Sequence, residues 1–193
     1  CTECQTSIAQ ADLETKECET VFNYLNFTTP IGNLLIATTR PELLAGCACI
    51  FVHPDDTRYK KFIGQKAIVP LYDFEIPIFA DDTVAMDKGT GVVMCASFGD
   101  SADVEWYQKH KLTSKEVILA DGTISEKIDF IGKMTVKKAR AYIIELLKKQ
   151  NLLVKQETIR HMVAVHERCQ HEVEFIMSKQ WSIVVLSEKE SIL

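Results

Sequence analysis

Two pairs of metal-binding residue types lie at opposite ends of this 193-residue chain, and no other feature restricts its fold as strongly. The pairs are Cys1-x-x-Cys4 and His166-x-x-Cys169. Two residues between ligands let both side chains face one tetrahedral ion, so the four together suit a closed, structural zinc site. Such a site requires the chain ends to meet. The alternative is two unrelated pairs in polar loops, because the two pairs of a usual zinc ribbon lie closer together in sequence. His161 and His171 are the competing candidates for the histidine ligand.

The remaining cysteines indicate a reducing compartment. The chain has seven cysteines, an odd number, and several lie inside apolar runs such as residues 47–52 and 92–95. Buried, reduced cysteines are typical of cytosolic proteins, so we expect a cytoplasmic location. No apolar stretch is long enough to span a membrane, and we expect no membrane partner.

The charge balance argues against a general nucleic-acid binder. The chain carries 22 basic and 27 acidic residues, which gives a net charge of −5. Any nucleic acid would therefore have to be held by a local patch. The sequence also contains no glycine-rich phosphate loop, so we do not expect this chain to use ATP by itself.

The alternation of short apolar runs with turn residues predicts an α+β protein. Residues 30–33 read as a turn, so the runs on either side of it form a predicted hairpin. Strands are predicted at 21–28, 34–39, 48–52, 67–70, 74–79, 91–95, 117–120, 123–128, 159–166 and 173–177, the last two paired with each other. Many short strands with few helices favour a barrel-like sheet with short helices around it.

Three helices have sequence signals at their ends. Pro41 suits the first turn of a short helix, and Asp100 or Ser101 can cap a helix that runs through His110. The clearest helix spans 136–150, with Thr135 as its predicted N-cap and an apolar face of Val136, Ala139, Ile143, Leu146 and Leu147. We expect a zinc-bearing base from residues 1–20 and 156–181, a central domain at 21–155 and a tail at 182–193.

The segment Thr38-Thr39-Arg40-Pro41-Glu42 ends a predicted strand and begins a helix. Hydroxyls, free backbone N–H groups and a guanidinium at this place favour a bound oxyanion or ribose oxygen. Ordinary capping is the alternative, with Thr39 as the cap and Glu42 complementing the helix dipole.

Asp100 and Asp103 lie three residues apart at a predicted helix start, so both carboxylates can face one side. Such a pair could bind an ammonium group or position a water molecule. Capping with dipole complementarity is again the alternative.

Five short motifs follow one another along the chain. They are Thr38-Thr39-Arg40-Pro41-Glu42, Phe51-Val52-His53-Pro54-Asp55-Asp56-x-Arg58-Tyr59, Ile76-Pro77-Ile78, Gly89-Thr90-Gly91-Val92-Val93 and Phe98-Gly99-Asp100-x-x-Asp103. In this order and spacing they resemble the editing domain inserted in valyl-tRNA synthetase, in its archaeal-type form. Cys1-x-x-Cys4 and residues 167–181 resemble the segments by which that insertion leaves and rejoins the synthetase body. The resemblance covers nearly the whole chain and implies the editing-domain fold, with the chain ends forming a zinc-ribbon-like base.

The resemblance implies a reaction, the hydrolysis of the ester that joins a wrong amino acid to the tRNA 3′ end. For the valyl enzyme the wrong residue is chiefly threonine, and this enzyme is the established example of a hydrophobic pocket that cannot strongly reject an added hydroxyl. The implied partners are the 3′ end of mischarged tRNA and the rest of the synthetase, in a monomer. ATP would be used only by the catalytic domain, which lies outside this chain.

The resemblance also implies roles for individual residues. Asp103 would hold the α-ammonium group of the substrate, and Asp100 would help hold substrate or water; these two are the expected catalytic residues. The expected substrate-binding residues are Thr38, Thr39, Arg40, Glu42 and Phe98. The expected structural zinc ligands are Cys1, Cys4, His166 and Cys169.

Some assignments stay open at the level of sequence. The bacterial form of the family has lysine where Met94 stands and threonine where Ala96 stands, so the group that recognises the threonine hydroxyl is undetermined. Cys95, Ser97 and Thr90 are candidates. The alternatives in function are the editing domain of the isoleucyl or leucyl enzyme, and a zinc-stabilised module that binds the tRNA 3′ end but is inactive when excised.

Overall fold

The computed structural model describes residues 1–179 and contains seven strands and two α-helices there. The helices are α1 (Ser101–His110) and α2 (Val136–Lys149), and short 3₁₀ turns lie at Gln10–Asp12, Pro41–Gly46 and Lys60–Phe62. The strands are β1 (Leu13–Thr29), β2 (Gly32–Thr38), β3 (Cys47–Val52), β4 (Lys66–Ile68), β5 (Glu75–Ala80), β6 (Val92–Ala96) and β7 (Leu153–His166). The predicted α+β class is confirmed.

The strands form one curled sheet in the order β2-β1-β4-β5-β3-β6, and β7 pairs separately with β1. All pairings are antiparallel except the parallel pair β3 and β5. The predicted hairpin is confirmed, because β1 and β2 pair from Asn23 opposite Thr38 to the turn at Thr29 and Gly32.

The middle of the sheet is buried on both faces. Ile50 and Val52 of β3 point into the main core, whereas Cys49 and Phe51 point into a second apolar cluster with Trp106 of α1. Successive residues of a strand face opposite sides, so burial on both sides requires an unbroken apolar run. This explains why the sequence 47–52 is apolar throughout and why two of its cysteines are inaccessible.

Helix α2 covers the main core on the side of the 41–46 turn. Ala139, Ile143 and Leu147 have no exposed surface, which matches the predicted apolar face. Thr135 stands at the N-cap position as predicted, but its side chain makes no capping hydrogen bond. Burial of this face stabilises the helix more than its cap does.

The longest departure from the predicted strands lies in β1, which begins at Leu13 rather than at residue 21. Residues 13–20 pair with 159–166 of β7 as a two-stranded ribbon that extends from the core towards the chain ends. Most of these β1 residues are exposed, so they show no apolar alternation. Long-range pairing with β7 makes this segment a strand, and the ribbon crosses the domain boundaries expected near residues 20 and 156.

Three predicted strands, at 117–120, 123–128 and 173–177, are wrong, whereas the predicted strand 159–166 is part of β7. The 117–128 region makes two isolated bridges, Ile118 with Ile124 and Thr123 with Thr135, because the chain turns at Gly122 and then bonds to Met134. Residues 173–177 form no strand: only Glu172 bridges back, to Val165, before Glu174 leaves to reach Arg40. The predicted tail at 182–193 lies outside the described residues.

Candidate functional site

A cleft of about 810 Å³ opens between the ribbon, β6 and the start of α1. It contains most of the residues that the sequence selected, namely Thr38, Thr39, Arg40, Asp100 and Asp103. Thr38, Thr39 and Arg40 come from the end of β2 and the residues after it, whereas Asp100 ends the loop after β6 and Asp103 lies in the first turn of α1. The curl of the sheet brings these two segments together although about sixty residues separate them.

Asp103 is the buried acid of the cleft, with 7% of its surface exposed. Its Oδ2 accepts a hydrogen bond of 2.9 Å from the backbone N–H of Gly99. Burial, and then the nearby charge of Asp100, raise the pKa of Asp103 to about 7. No Lys or Arg pairs with this carboxyl among the described residues. A carboxyl in such a place is stabilised in its ionised form by a cation that enters the cleft.

Asp100 is exposed and is the N-cap of α1. Its Oδ1 accepts a hydrogen bond of 3.0 Å from the backbone N–H of Asp103. The capping interpretation is therefore confirmed, and the cap fixes the turn that carries Asp103. The carboxylate also lines the cleft, where its charge acts on Asp103.

Arg40 links three parts of the cleft. Its Nε contacts Glu42 at 3.1 Å, its Nη1 donates to the carbonyl of Gly99 at 3.0 Å, and its Nη2 contacts Glu174 at 2.7 Å. Every guanidinium nitrogen thus has a protein partner.

Thr38 accepts a hydrogen bond from the Arg40 backbone N–H through its hydroxyl, whereas the Thr39 hydroxyl has no described hydrogen bond.

Glu42 does not line the cleft, in contrast to the expected substrate contact. It has no exposed surface, and its carboxylate is held between Arg40 and Arg140. Arg140 binds it with two hydrogen bonds, from Nε at 2.9 Å and from Nη2 at 2.8 Å. The location indicates that Glu42 positions the two arginines.

Phe98 borders a neighbouring pocket of about 420 Å³ rather than the main cleft. Its ring lies 4.8 Å from that of Tyr107, centre to centre.

The candidates for hydroxyl recognition are also outside the cleft lining. Ser97 donates to the Lys115 carbonyl, Cys95 has no exposed surface, and Thr90 accepts from the Val92 N–H.

The cleft includes residues that the sequence did not select. Trp106 donates from Nε1 to the Thr83 hydroxyl at 2.9 Å, and that hydroxyl donates to Asp81. Trp106 follows Asp103 by three positions, so helical spacing alone could have placed it on the same face. Arg140 gave no such signal, because its partner Glu42 is 98 residues away.

The four predicted zinc ligands converge at the chain ends. The ligand atoms of Cys1, Cys4, His166 and Cys169 all lie within 4.8 Å of one another. His166 is buried and its Nδ1 lies 3.3 Å from the Cys169 sulfur, whereas His161 and His171 are not in the cluster. Three sulfurs and one imidazole nitrogen are the donors that a closed tetrahedral zinc site uses.

The cysteines of this cluster fit a cation on electrostatic grounds as well. A hydrogen bond with Cys169 is the main cause that raises the pKa of the Cys4 thiol. Neighbouring thiolates disfavour one another, and a divalent metal reverses this by stabilising all of them. The residues therefore fit the metal that the spacing predicts.

Comparisons with known proteins agree with the geometry. Residues 56–163 match the protein family described as leucyl-tRNA synthetase, editing domain. The chain is 45% identical over 97% of its length to the valine--tRNA ligase of Rickettsia canadensis (strain McKiel), and 44% identical over 100% of its length to that of the archaeon Archaeoglobus fulgidus. It spans 23% and 22% of these two ligases, so it corresponds to less than a quarter of each.

Two solved structures share the fold. One is a leucyl-tRNA synthetase of Agrobacterium radiobacter K84 in a ternary complex with tRNA and LeuAMS, with a TM-score of 0.57, 18% identity and coverage of 76% of this chain and 20% of that one. The other is GlLeuRS-CP1, with a TM-score of 0.57, 12% identity and coverage of 70% and 99%. At this identity they show the fold alone. Among residues 1–179, no helix has the length and apolar character needed to cross a membrane.

Proposed function

The chain belongs to the family of editing domains of class I aminoacyl-tRNA synthetases, and from this premise we propose that it hydrolyses threonyl-tRNA(Val) as part of a valyl-tRNA synthetase. The observation that supports this most directly is the unpaired, buried carboxyl of Asp103 in the cleft, with a pKa of about 7. A threonine wrongly esterified to tRNA(Val) would carry an α-ammonium group, which is the counter-ion that this carboxyl lacks.

The proposed mechanism depends on positioning. Asp103 holds the α-ammonium group, and Asp100 holds the turn and adds negative charge beside it. Water attacks the ester carbonyl, the bond between that carbon and the ribose oxygen breaks, and the ribose oxygen leaves with a proton. Orientation and electrostatic stabilisation then supply the acceleration, with no covalent intermediate on the protein.

The roles of the other residues follow from their contacts. Thr39 offers a free hydroxyl to the substrate, whereas Thr38 and Arg40 hold the cleft wall. Phe98 belongs to the loop between β6 and α1, and its packing against Tyr107 of α1 would hold this loop in place. Selection of threonine over valine requires a polar partner that valine would leave unpaired.

We also propose that the cluster of Cys1, Cys4, His166 and Cys169 holds a structural zinc ion. When bound, the ion would cross-link the two chain ends at the base of the ribbon. The base would connect to the rest of the synthetase, which would supply most contacts to tRNA in a cytoplasmic, monomeric enzyme. The net charge of −5 supports this division, because this chain alone attracts phosphates weakly.

A deacylation assay tests the proposal. The chain is mixed with tRNA(Val) charged with threonine or with valine, and we expect hydrolysis of the threonyl ester in preference to the valyl ester. Asp103→Asn should lower kcat/KM about 10- to 100-fold, since a hydrogen bond to a charged group contributes about 1.5–3 kcal/mol. Asp55→Asn is the matched control, because Asp55 is exposed and lies outside the cleft.

The assay also separates the alternatives. A module that only binds the tRNA end would bind threonyl-tRNA(Val) without turnover. An isoleucyl or leucyl editing domain would hydrolyse its own mischarged tRNA faster than threonyl-tRNA(Val). Equal hydrolysis of the threonyl and valyl esters would contradict the proposed specificity.

A further inference from the structure

We propose that Arg140, and not Arg40, binds a backbone phosphate of the incoming 3′ end. The proposal rests on the proposed function, since it assigns a second contact for the same substrate in the same cleft. Arg140 lies on α2, outside the motifs that led to the cleft from the sequence.

The geometry of Arg140 leaves one edge of its guanidinium open. Its Nε and Nη2 both donate to Glu42, which occupies the side edge of the planar group. A guanidinium has five N–H donors in a fixed fork, so the end edge formed by Nη1 and the second N–H of Nη2 stays available. The side chain is 30% exposed and lines the cleft.

Arg40 differs from Arg140 in this respect. Each of its guanidinium nitrogens already binds a partner, Glu42, the Gly99 carbonyl or Glu174. Its side chain is 20% exposed. Two of the five N–H donors of Arg40 remain, but both are on nitrogens that a partner already holds, whereas the Nη1 of Arg140 has no hydrogen-bond partner among the described residues. Arg140 is therefore the better candidate for a bidentate contact with a phosphate.

The rest of the cleft favours the same choice. Three cations line it, Arg40, Lys88 and Arg140, against five carboxylates. The carboxylates are Glu19, Asp100, Asp103, Glu105 and Glu172. A polyanion that enters such an acidic cleft needs a cation with free donors, and Lys88 is the competitor on an exposed loop. A planar fork suits two phosphate oxygens better than the single ammonium of lysine does.

Glu42 makes the open edge of Arg140 rigid. It has no exposed surface and binds two arginines, so Arg140 is held before any ligand arrives. A side chain that is already fixed loses little rotamer freedom on binding. This also explains how the buried carboxylate of Glu42 can lie next to a site for an anion. Glu42 accepts hydrogen bonds from two N–H donors of Arg140 and fixes its orientation, and the other three donors of Arg140 remain for the anion.

The test measures how salt weakens binding of a short single-stranded RNA that ends in CCA. Each single-stranded phosphate contact contributes about 0.7 to the slope of log K against log salt. Arg140→Gln should lower the magnitude of the slope by about 0.7, and Arg140→Lys should retain the slope with weaker affinity, because the charge remains without the fork. Lys138→Gln is the control, since it removes one charge from the same helix outside the cleft.

A second variant serves as the control for a loss of folding. Arg140→Gln leaves the buried Glu42 with one partner fewer, which destabilises a protein. The double variant Glu42→Gln/Arg140→Gln removes both charges of this ion pair and should show the same loss of slope. A change of slope in Lys88→Gln but in neither Arg140 variant overturns the proposal, as does absence of RNA binding by the unaltered chain.

The same experiments distinguish failure of the proposed function from failure of the proposed phosphate contact. If the unaltered chain does not hydrolyse threonyl-tRNA(Val) but loses 0.7 of its salt slope with Arg140→Gln, the phosphate contact stands and the hydrolytic function does not. If hydrolysis is specific for threonine and the slope is insensitive to Arg140, the function stands and the phosphate contact is wrong.

Discussion

Asp103 links the function proposed for the cleft to the stability of the fold. Its pKa is 3.8 when unperturbed and about 7 in the folded chain. Between these values the folded state binds more protons than the unfolded state, so this group's contribution to the free energy of unfolding falls as the pH rises. It is fully present below pH 3.8 and is lost as the pH passes about 7.

Asp103→Asn should therefore make the chain more stable at pH 8 than the unaltered chain, by a few kcal/mol at most, because each pKa unit corresponds to about 1.4 kcal/mol. The difference should shrink towards pH 4. Urea unfolding at both values measures it, with Asp55→Asn as the control. Equal stability of Asp103→Asn and the unaltered chain at pH 8 would show that ionisation of Asp103 does not destabilise the folded state.

Gly99 is the second residue whose replacement tests the cleft. A Cβ at this position would lie 2.8 Å from the Asp103 Oδ2 and 3.2 Å from the Leu43 Cδ1. Gly99→Ala should therefore displace the Asp103 carboxylate and lower kcat/KM for threonyl-tRNA(Val) about tenfold or more, since misplacement of a positioning group is costly. Circular dichroism would check that the fold is retained, and an unchanged rate in a folded variant would contradict the role of this close contact.

The elements differ in how far the sequence predicted them. Helix α1, its Asp100 cap and the β1–β2 hairpin were predictable because their signals are local. Residues 13–20 of β1 were not, since they are mostly exposed and become a strand only by pairing with β7. The buried contact of Glu42 with Arg140 was equally unpredictable, because no local pattern links residues so distant in sequence.

The segment after β7 is an element that acts on the cleft. Glu174 reaches Arg40 at 2.7 Å, and Arg40 in turn holds the Gly99 carbonyl beside Asp103. Glu174→Gln should loosen this loop and lower kcat for deacylation several-fold, with a smaller effect on KM, since the ion pair is largely buried. Glu126→Gln is the control, because its ion pair with Lys133 is exposed on both sides and contributes about 0–1 kcal/mol. A matching change in both variants would reject a specific role for Glu174.

At the scale of the whole molecule, the four-ligand cluster and the hydrophobic core lie in separate parts of the chain, so a bound metal would be a source of stability separate from the core. The core clusters lie in the sheet and beneath both helices, whereas the base contributes few buried residues, of which His166 is one. The two parts are joined by the exposed ribbon of β1 and β7. The sequence predicted the cluster from two ligand pairs, but not that a long ribbon carries it away from the core.

Removal of the metal should therefore unfold the base and leave the core folded. We expect about one equivalent of zinc per chain, and chelation should raise amide hydrogen exchange in residues 1–18 and 159–172 while Ile50, Ile143 and their neighbours stay protected. Cys4→Ser should act like chelation, and Cys18→Ser should not, because Cys18 lies outside the cluster. A global loss of protection would mean that the metal holds the whole fold, as it does in zinc fingers. Zinc far below one equivalent, with exchange insensitive to chelation, would instead show that the four ligands converge without binding an ion.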